Sequence, residues 1–128
     1  MTAAAPGLER VVQLALTVRD LPRAVAFYRD VLGLPFLFDA PPQMAFFECG
    51  GIRLLIGAGH AGPPAPSGSV VYFATHDIQA SHAALAAAGV AFAQPPQRIA
   101  RLPTSDVWLA EFDDPDGNHL ALMSEVPR

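Results

Sequence analysis

Four polar side chains interrupt apolar, strand-like runs and are the first candidates for chemistry: Gln13, Tyr72, Glu111 and His119. A carboxylate held against an apolar wall is disfavoured in its charged form. Glu111 in such a place would have a raised pKa, suited to a general base or to donating a hydrogen bond to a ligand. The ordinary alternative is a solvated carboxylate, or one paired with Arg98 or Arg101, because structural ion pairs also perturb acids. Gln13 and Tyr72 are neutral groups that can orient or polarise a ligand, although strand aromatics more often serve packing. His119 follows a turn directly, where an exposed strand-start histidine is the default. A Gln13–Glu111–His119 metal site is conceivable, but no spacing in the chain fixes their mutual distances.

The remaining reactive types carry less. His60, His76 and His82 fall in loop, helix-start and helix positions, with solvent as their default. Cys49 lies beside a Gly-Gly turn and has no neighbouring base in sequence to activate it. Arg98 and Arg101 belong to the segment Pro96–Asp106, readable as a lid meeting an anionic ligand or as a solvated loop. Gly57-Ala-Gly-His-Ala-Gly62 has the dinucleotide-binding spacing, but that spacing works only where a helix begins. Pro63, Pro64 and Pro66 make a helix there implausible, so the run reads as linker.

Composition bounds what can hold these groups. The chain has 128 residues, 52% apolar and 16% charged, which excludes disorder and suits one packed domain. A net charge of −4 without a basic run excludes a nucleic-acid footprint. No apolar run reaches membrane-spanning length, and no secretory leader is readable at the start. One cysteine cannot form an internal disulfide and suits a reducing, cytoplasmic setting.

The elements come in two copies. Gln13 to Leu21 and Val70 to Ile78 are each an alternating β-rich run ending in Asp20 or Asp77, followed by an aliphatic residue. Each aspartate predicts a helix N-cap, with Pro22 in the first turn of the first helix. Helical periodicity follows, closed by Gly33 and by Gly89. Short strands are expected next at Phe36–Asp39 and Val90–Ala93. Two strands joined by a tight turn then follow: Met44–Cys49 with Ile52–Ile56, and Val107–Phe112 with His119–Met123. The prediction is an α+β fold of two βαβββ units, at about residues 10–56 and 69–124, with a Pro/Gly linker over 57–68. Neither unit can cover both faces of its sheet. Pairing them leaves helices outside and a cupped mixed sheet inside. Strand alternation lines that cup with Gln13, Phe47, Leu55, Val70, Tyr72, Leu109, Glu111, His119, Ala121 and Met123, and turns Trp108 and Phe112 into the core.

Two stretches carry a family resemblance: Val18-Arg-Asp-Leu-Pro-Arg-Ala-Val-Ala-Phe-Tyr-Arg-Asp-Val-Leu-Gly-Leu34 and Phe112-Asp-Asp-Pro-Asp-Gly-Asn118. From about Val11 to Met123 the chain resembles the vicinal oxygen chelate superfamily of glyoxalases, bleomycin-resistance proteins, extradiol dioxygenases and epimerases. The resemblance implies a homodimer. It also implies four metal-ligand places, one seven residues before each capping Asp and one four residues after the glycine of each closing turn. These fall on Gln13, Val70, Leu55 and Ala121, of which only Gln13 offers a donor atom. The expectation is therefore a cup without metal or other cofactor that binds a small, largely apolar organic molecule, as antibiotic-binding members do. The alternatives are a lyase or isomerase using Glu111 as base, with Gln13 and Tyr72 polarising the substrate, and a structural or regulatory dimer with a vestigial pocket.

Overall fold

The computed structural model describes residues 6–58 and 69–128. The first unit runs β1 (Gln13–Thr17), α1 (Leu21–Ala26), β2 (Phe36–Ala40), β3 (Met44–Cys49) and β4 (Ile52–Gly57). The second runs β5 (Val71–Ala74), α2 (Ile78–Ala87), β6 (Gln97–Arg101), β7 (Ser105–Asp113) and β8 (His119–Pro127). Each forms its own four-stranded sheet, ordered β1-β4-β3-β2 and β5-β8-β7-β6, parallel only between the first and last strand of the unit. This is the predicted α+β architecture of two βαβββ units. Of the expected linker, Gly57 belongs to β4 and Ala58 is buried. The rest, with His60 and most of the glycine-rich motif, lies outside the described residues.

The helix starts follow from their caps. The Asp20 carboxylate accepts the Arg23 backbone N–H at 3.0 Å, and Asp77 accepts that of Ala80 at 3.1 Å. Gly33 and Gly89 take φ of 75° and 97°, the left-handed geometry that ends a helix and that side chains resist. After Ala26 the first helix widens into a π-helical turn over Phe27–Val31, where the Leu32 N–H reaches back five residues to the Phe27 carbonyl. Both Phe27 and Tyr28 of that turn are buried.

Register fixes which side chains share a face. Leu14, Leu54, Ala45 and Phe47 form the helix-facing side of the first sheet, with Val71, Phe73, Leu120, Leu122 and Phe112 on that of the second. These sides and the two helices make one core continuous across both units. Two expectations need correction. Phe47 does not face the cup: it is fully buried on the helix side, against the rings of Tyr28 and Phe36. The true alternation of β3 is one residue out of step with the predicted one, so Phe46 is the residue opposite Leu55. A run as uniformly apolar as Met44–Phe47 gives no periodic signal to choose between the two.

The second correction is the strand after α2. Val90–Ala93 makes only an isolated bridge, from Phe92 to Phe112, and the sheet is completed by Gln97–Arg101 instead. The Phe92 ring packs on His82 and Phe112, with centroids 4.5 and 5.3 Å apart, which ties this stretch to the core. Pro95 and Pro96 lack N–H donors, so continuous pairing begins after them. Arg98 and Arg101 accordingly sit on an edge strand and approach Asp106 at 3.8 and 3.9 Å. Neither pairs with Glu111.

Candidate functional site

The sheet faces turned away from the helices carry most of the predicted site. In the second sheet Tyr72, Ala121 and Glu111 form one row across β5, β8 and β7, and Ala74, Met123 and Leu109 form the next. Ala121 is fully buried between its neighbours, whereas Tyr72 and Glu111 are exposed. In the first sheet Ala15, Leu55 and Phe46 make the corresponding row, and Gln13, Arg53 and Glu48 the next. Phe38 pairs with Phe46 and stacks on it, with ring centroids 4.6 Å apart. Phe46, Phe38 and Arg53 were missing from the sequence reading. Superposing the two closing turns would have exposed Phe46, because it stands opposite Leu55 as Glu111 stands opposite Ala121.

Polar groups on these faces are dispersed. His119 is exposed and its Nδ1 lies 2.8 Å from the Asp113 carboxylate, one row from Glu111. Gln13 belongs to the other sheet, so no three-way cluster with Glu111 and His119 is built within one sheet. Among the described residues no three His, Cys, Asp or Glu side chains gather where a metal ion could sit. Of the four places that the family resemblance marks for metal ligands, Leu55, Val70 and Ala121 present only hydrocarbon. The donor set does not fit a divalent ion.

The units meet along a seam whose two ends differ. At one end Asp114, buried in the β7–β8 turn, accepts the Tyr28 hydroxyl at 2.7 Å. It also accepts the backbone N–H groups of Asp116 and Asn118 and the Asn118 side-chain amide. That amide donates across the seam to the Thr17 carbonyl at 3.0 Å, and Asp116 takes the Arg19 N–H and the Arg23 guanidinium, each at 2.9 Å. Burial pushes the Tyr28 phenol well above its ordinary value, and the adjacent Asp114 charge adds to the rise. The fully enclosed Asp116 Oδ2 has no partner among the described residues.

At the other end the seam opens into a cavity of about 770 Å³. The first unit lines it with residues including Leu14, Leu54 and Cys49, the second with Phe73, Ser81 and Leu85 among others. Val70 and Tyr72 reach it as well. Val70 is thereby placed just before β5, at the seam. Burial raises the Cys49 thiol, with the Glu48 charge contributing, so the sulfur is held in its neutral form. Among the described residues no helix is long and apolar enough to cross a membrane.

Comparison with known proteins accords with this architecture. No curated protein matches the chain. Lactoylglutathione lyase from Agrobacterium tumefaciens is 25% identical, with a TM-score of 0.72 over 92% of this chain and 95% of its own. A superfamily member from Sphaerobacter thermophilus is likewise 25% identical, with a TM-score of 0.72 over 92% and 98%. A Nocardioides protein of the same description, 23% identical with a TM-score of 0.73 over 98% and 87%, shares the fold. The family model of the Glyoxalase/Bleomycin resistance protein/Dioxygenase superfamily matches residues 10–122, from ahead of β1 into β8 and so across both βαβββ units, and the chain belongs to this superfamily.

Proposed function

We propose that the protein is a binding member of the superfamily. It holds a small, largely apolar organic molecule against the open sheet faces, as a cytoplasmic homodimer and without a metal. The observation that supports this reading most is the replacement of ligand-bearing places by Leu55, Val70 and Ala121. Hydrocarbon at those positions gains by burying apolar surface and gains nothing from a cation. Leu55, Leu109 and Met123 supply the apolar contact, and Gln13, Tyr72, Glu111 and His119 are the polar groups available to orient the bound molecule. The test is a thermal-shift screen against metabolites and antibiotics, with and without divalent ions, on protein purified without chelator. A binder of the native state raises the melting temperature, and added metal should change nothing. A stoichiometric ion that disappears in Gln13→Ala would overturn the reading.

A second reading, a lyase or isomerase, draws on the similarity to the Agrobacterium enzyme and on the exposed Glu111 carboxylate beside Ala121. Here Glu111 takes a proton from a carbon acid while Gln13 and Tyr72 polarise the carbonyl. Glu111→Gln separates the two, since it abolishes turnover in an enzyme and leaves a binder's affinity largely intact.

A further inference from the structure

Aligning the capping residues Asp20 and Asp77 makes Val18 equivalent to Thr75, Ala24 to Ser81 and Tyr28 to Leu85. Val18 and Ala24 are buried, and Tyr28 reaches the opposite turn. In the second copy a leucine replaces that tyrosine, and the opposite turn shrinks to Gly50-Gly51. The Glu48 carboxylate accepts the Gly51 N–H within that turn, and Leu85 has no hydroxyl to reach across the seam as Tyr28 does at the other end. The space so vacated is the 770 Å³ cavity, within the range of small-molecule sites. Thr75 and Ser81 put hydroxyls on its wall, 2.5 Å apart.

We propose that this seam cavity is a second ligand site, and that it takes an uncharged, mainly apolar alcohol or phenol. It is set mainly on the helix-facing side of the sheets and meets the open faces at Glu48, Val70, Tyr72 and Ala74. The charge requirement follows from the lining, whose described residues include no Lys, Arg or His and a single acid, Glu48. An anion finds no counter-charge among them. Glu48 is engaged with the Gly51 N–H and in register with Arg53, so a cation gains little. The hydroxyl requirement follows from proton counting. Thr75 donates toward the Asp77 carbonyl at 3.4 Å, which leaves Ser81 to donate to Thr75. In that arrangement both protons are committed and oxygen lone pairs face the cavity, which selects for a ligand that donates.

Cys49 is the chain's single cysteine and lines the cavity, so its alkylation by N-ethylmaleimide, followed by mass spectrometry, reports occupancy. The probes are 2-naphthol, 2-methoxynaphthalene and 2-naphthoate. At about ten times its Kd, 2-naphthol should slow alkylation about tenfold. The methyl ether should bind more weakly and the carboxylate should not protect. Ser81→Ala should weaken 2-naphthol about three- to tenfold and leave the ether unchanged. Ala84→Phe fills the cavity from an exposed helix position and should abolish protection with the fold intact by circular dichroism. Absence of protection by any probe, equal protection by 2-naphthoate, or protection that survives Ala84→Phe would overturn the proposal. Failure here and failure of the open-face reading are distinguishable, because Cys49 and Ala84 lie off the open faces and only rim residues such as Val70 and Tyr72 are common to the two.

Discussion

The two ends of the seam are built from the same repeat and have opposite characters. At the Asp114 end a five-residue turn crosses between units and meets a tyrosine, two backbone groups and an arginine of the first unit. At the Gly50-Gly51 end the turn is two residues long, its Gly51 N–H is taken by Glu48 of the same unit, and it borders the cavity together with Leu85. Duplication supplies the frame, and one aromatic-to-aliphatic difference with three residues fewer in a turn converts a closed contact into an open one. The hydrogen bonds that tie the β7–β8 turn to the first unit all lie at one end, and the cavity lies at the other.

The largest effect that could break this picture comes from Asp114→Ala. Asp114 accepts four hydrogen bonds while buried, so its removal strands the Tyr28 hydroxyl and unties the turn that reaches Thr17 and Arg19. Loss of a buried, fully bonded carboxylate should cost about 3–4 kcal/mol in urea unfolding. A loss under about 1 kcal/mol, the size of a surface contact, would show that docking does not depend on this end.

Tyr28→Phe is gentler. The ring contacts with Phe27 and Phe47 survive, and a single hydrogen bond to a carboxylate is lost, for about 1.5–3 kcal/mol. Its pH dependence sharpens the assignment. The folded phenol is raised above its ordinary value, so the unfolded chain releases that proton first. The stability Tyr28 contributes is complete below about pH 10 and declines above it, by about 1.4 kcal/mol per pH unit. Tyr28→Phe should remove that alkaline slope. The Cys49 thiol, raised for the same reason of burial, should still lose stability from about pH 8.5 upward in both proteins. An unchanged slope above pH 10 in the variant would place the buried titration elsewhere.

Much of the frame was legible because local rules and the fold agree. Asp20 and Asp77 cap helices, Gly33 and Gly89 end them, and the alternation around Glu111 places Ala121 and Tyr72 beside it. Legibility failed where a local pattern was degenerate. The apolar run at Phe46 and Phe47 has no period, and Val90–Ala93 looks like a strand until Phe92 is needed by the core. The open-face candidates could be named singly and assigned to their units, but no spacing in the chain fixed the distances between them. The seam cavity was illegible for a deeper reason. It arises from what Leu85 fails to reach, and only a three-dimensional comparison with Tyr28 makes that gap visible.

The smallest expected effect is the most direct test of the comparison. Leu85→Tyr restores in the second copy the residue that Tyr28 supplies in the first. Overpacking a dense core by this much costs about 1–3 kcal/mol, but Leu85 borders 770 Å³ of open space that can accept a hydroxyphenyl ring. The change in unfolding free energy should therefore stay within about 1 kcal/mol, with burial of the ring offsetting its ordering. The gain should not approach that of the Tyr28 contact, because the short Gly50-Gly51 turn offers no counterpart to Asp114. Filling the space should also remove the protection of Cys49 by 2-naphthol. A destabilisation as large as that of Asp114→Ala would mean that the second end is already packed, and the asymmetry between the ends would then be one of chemistry without a difference in space.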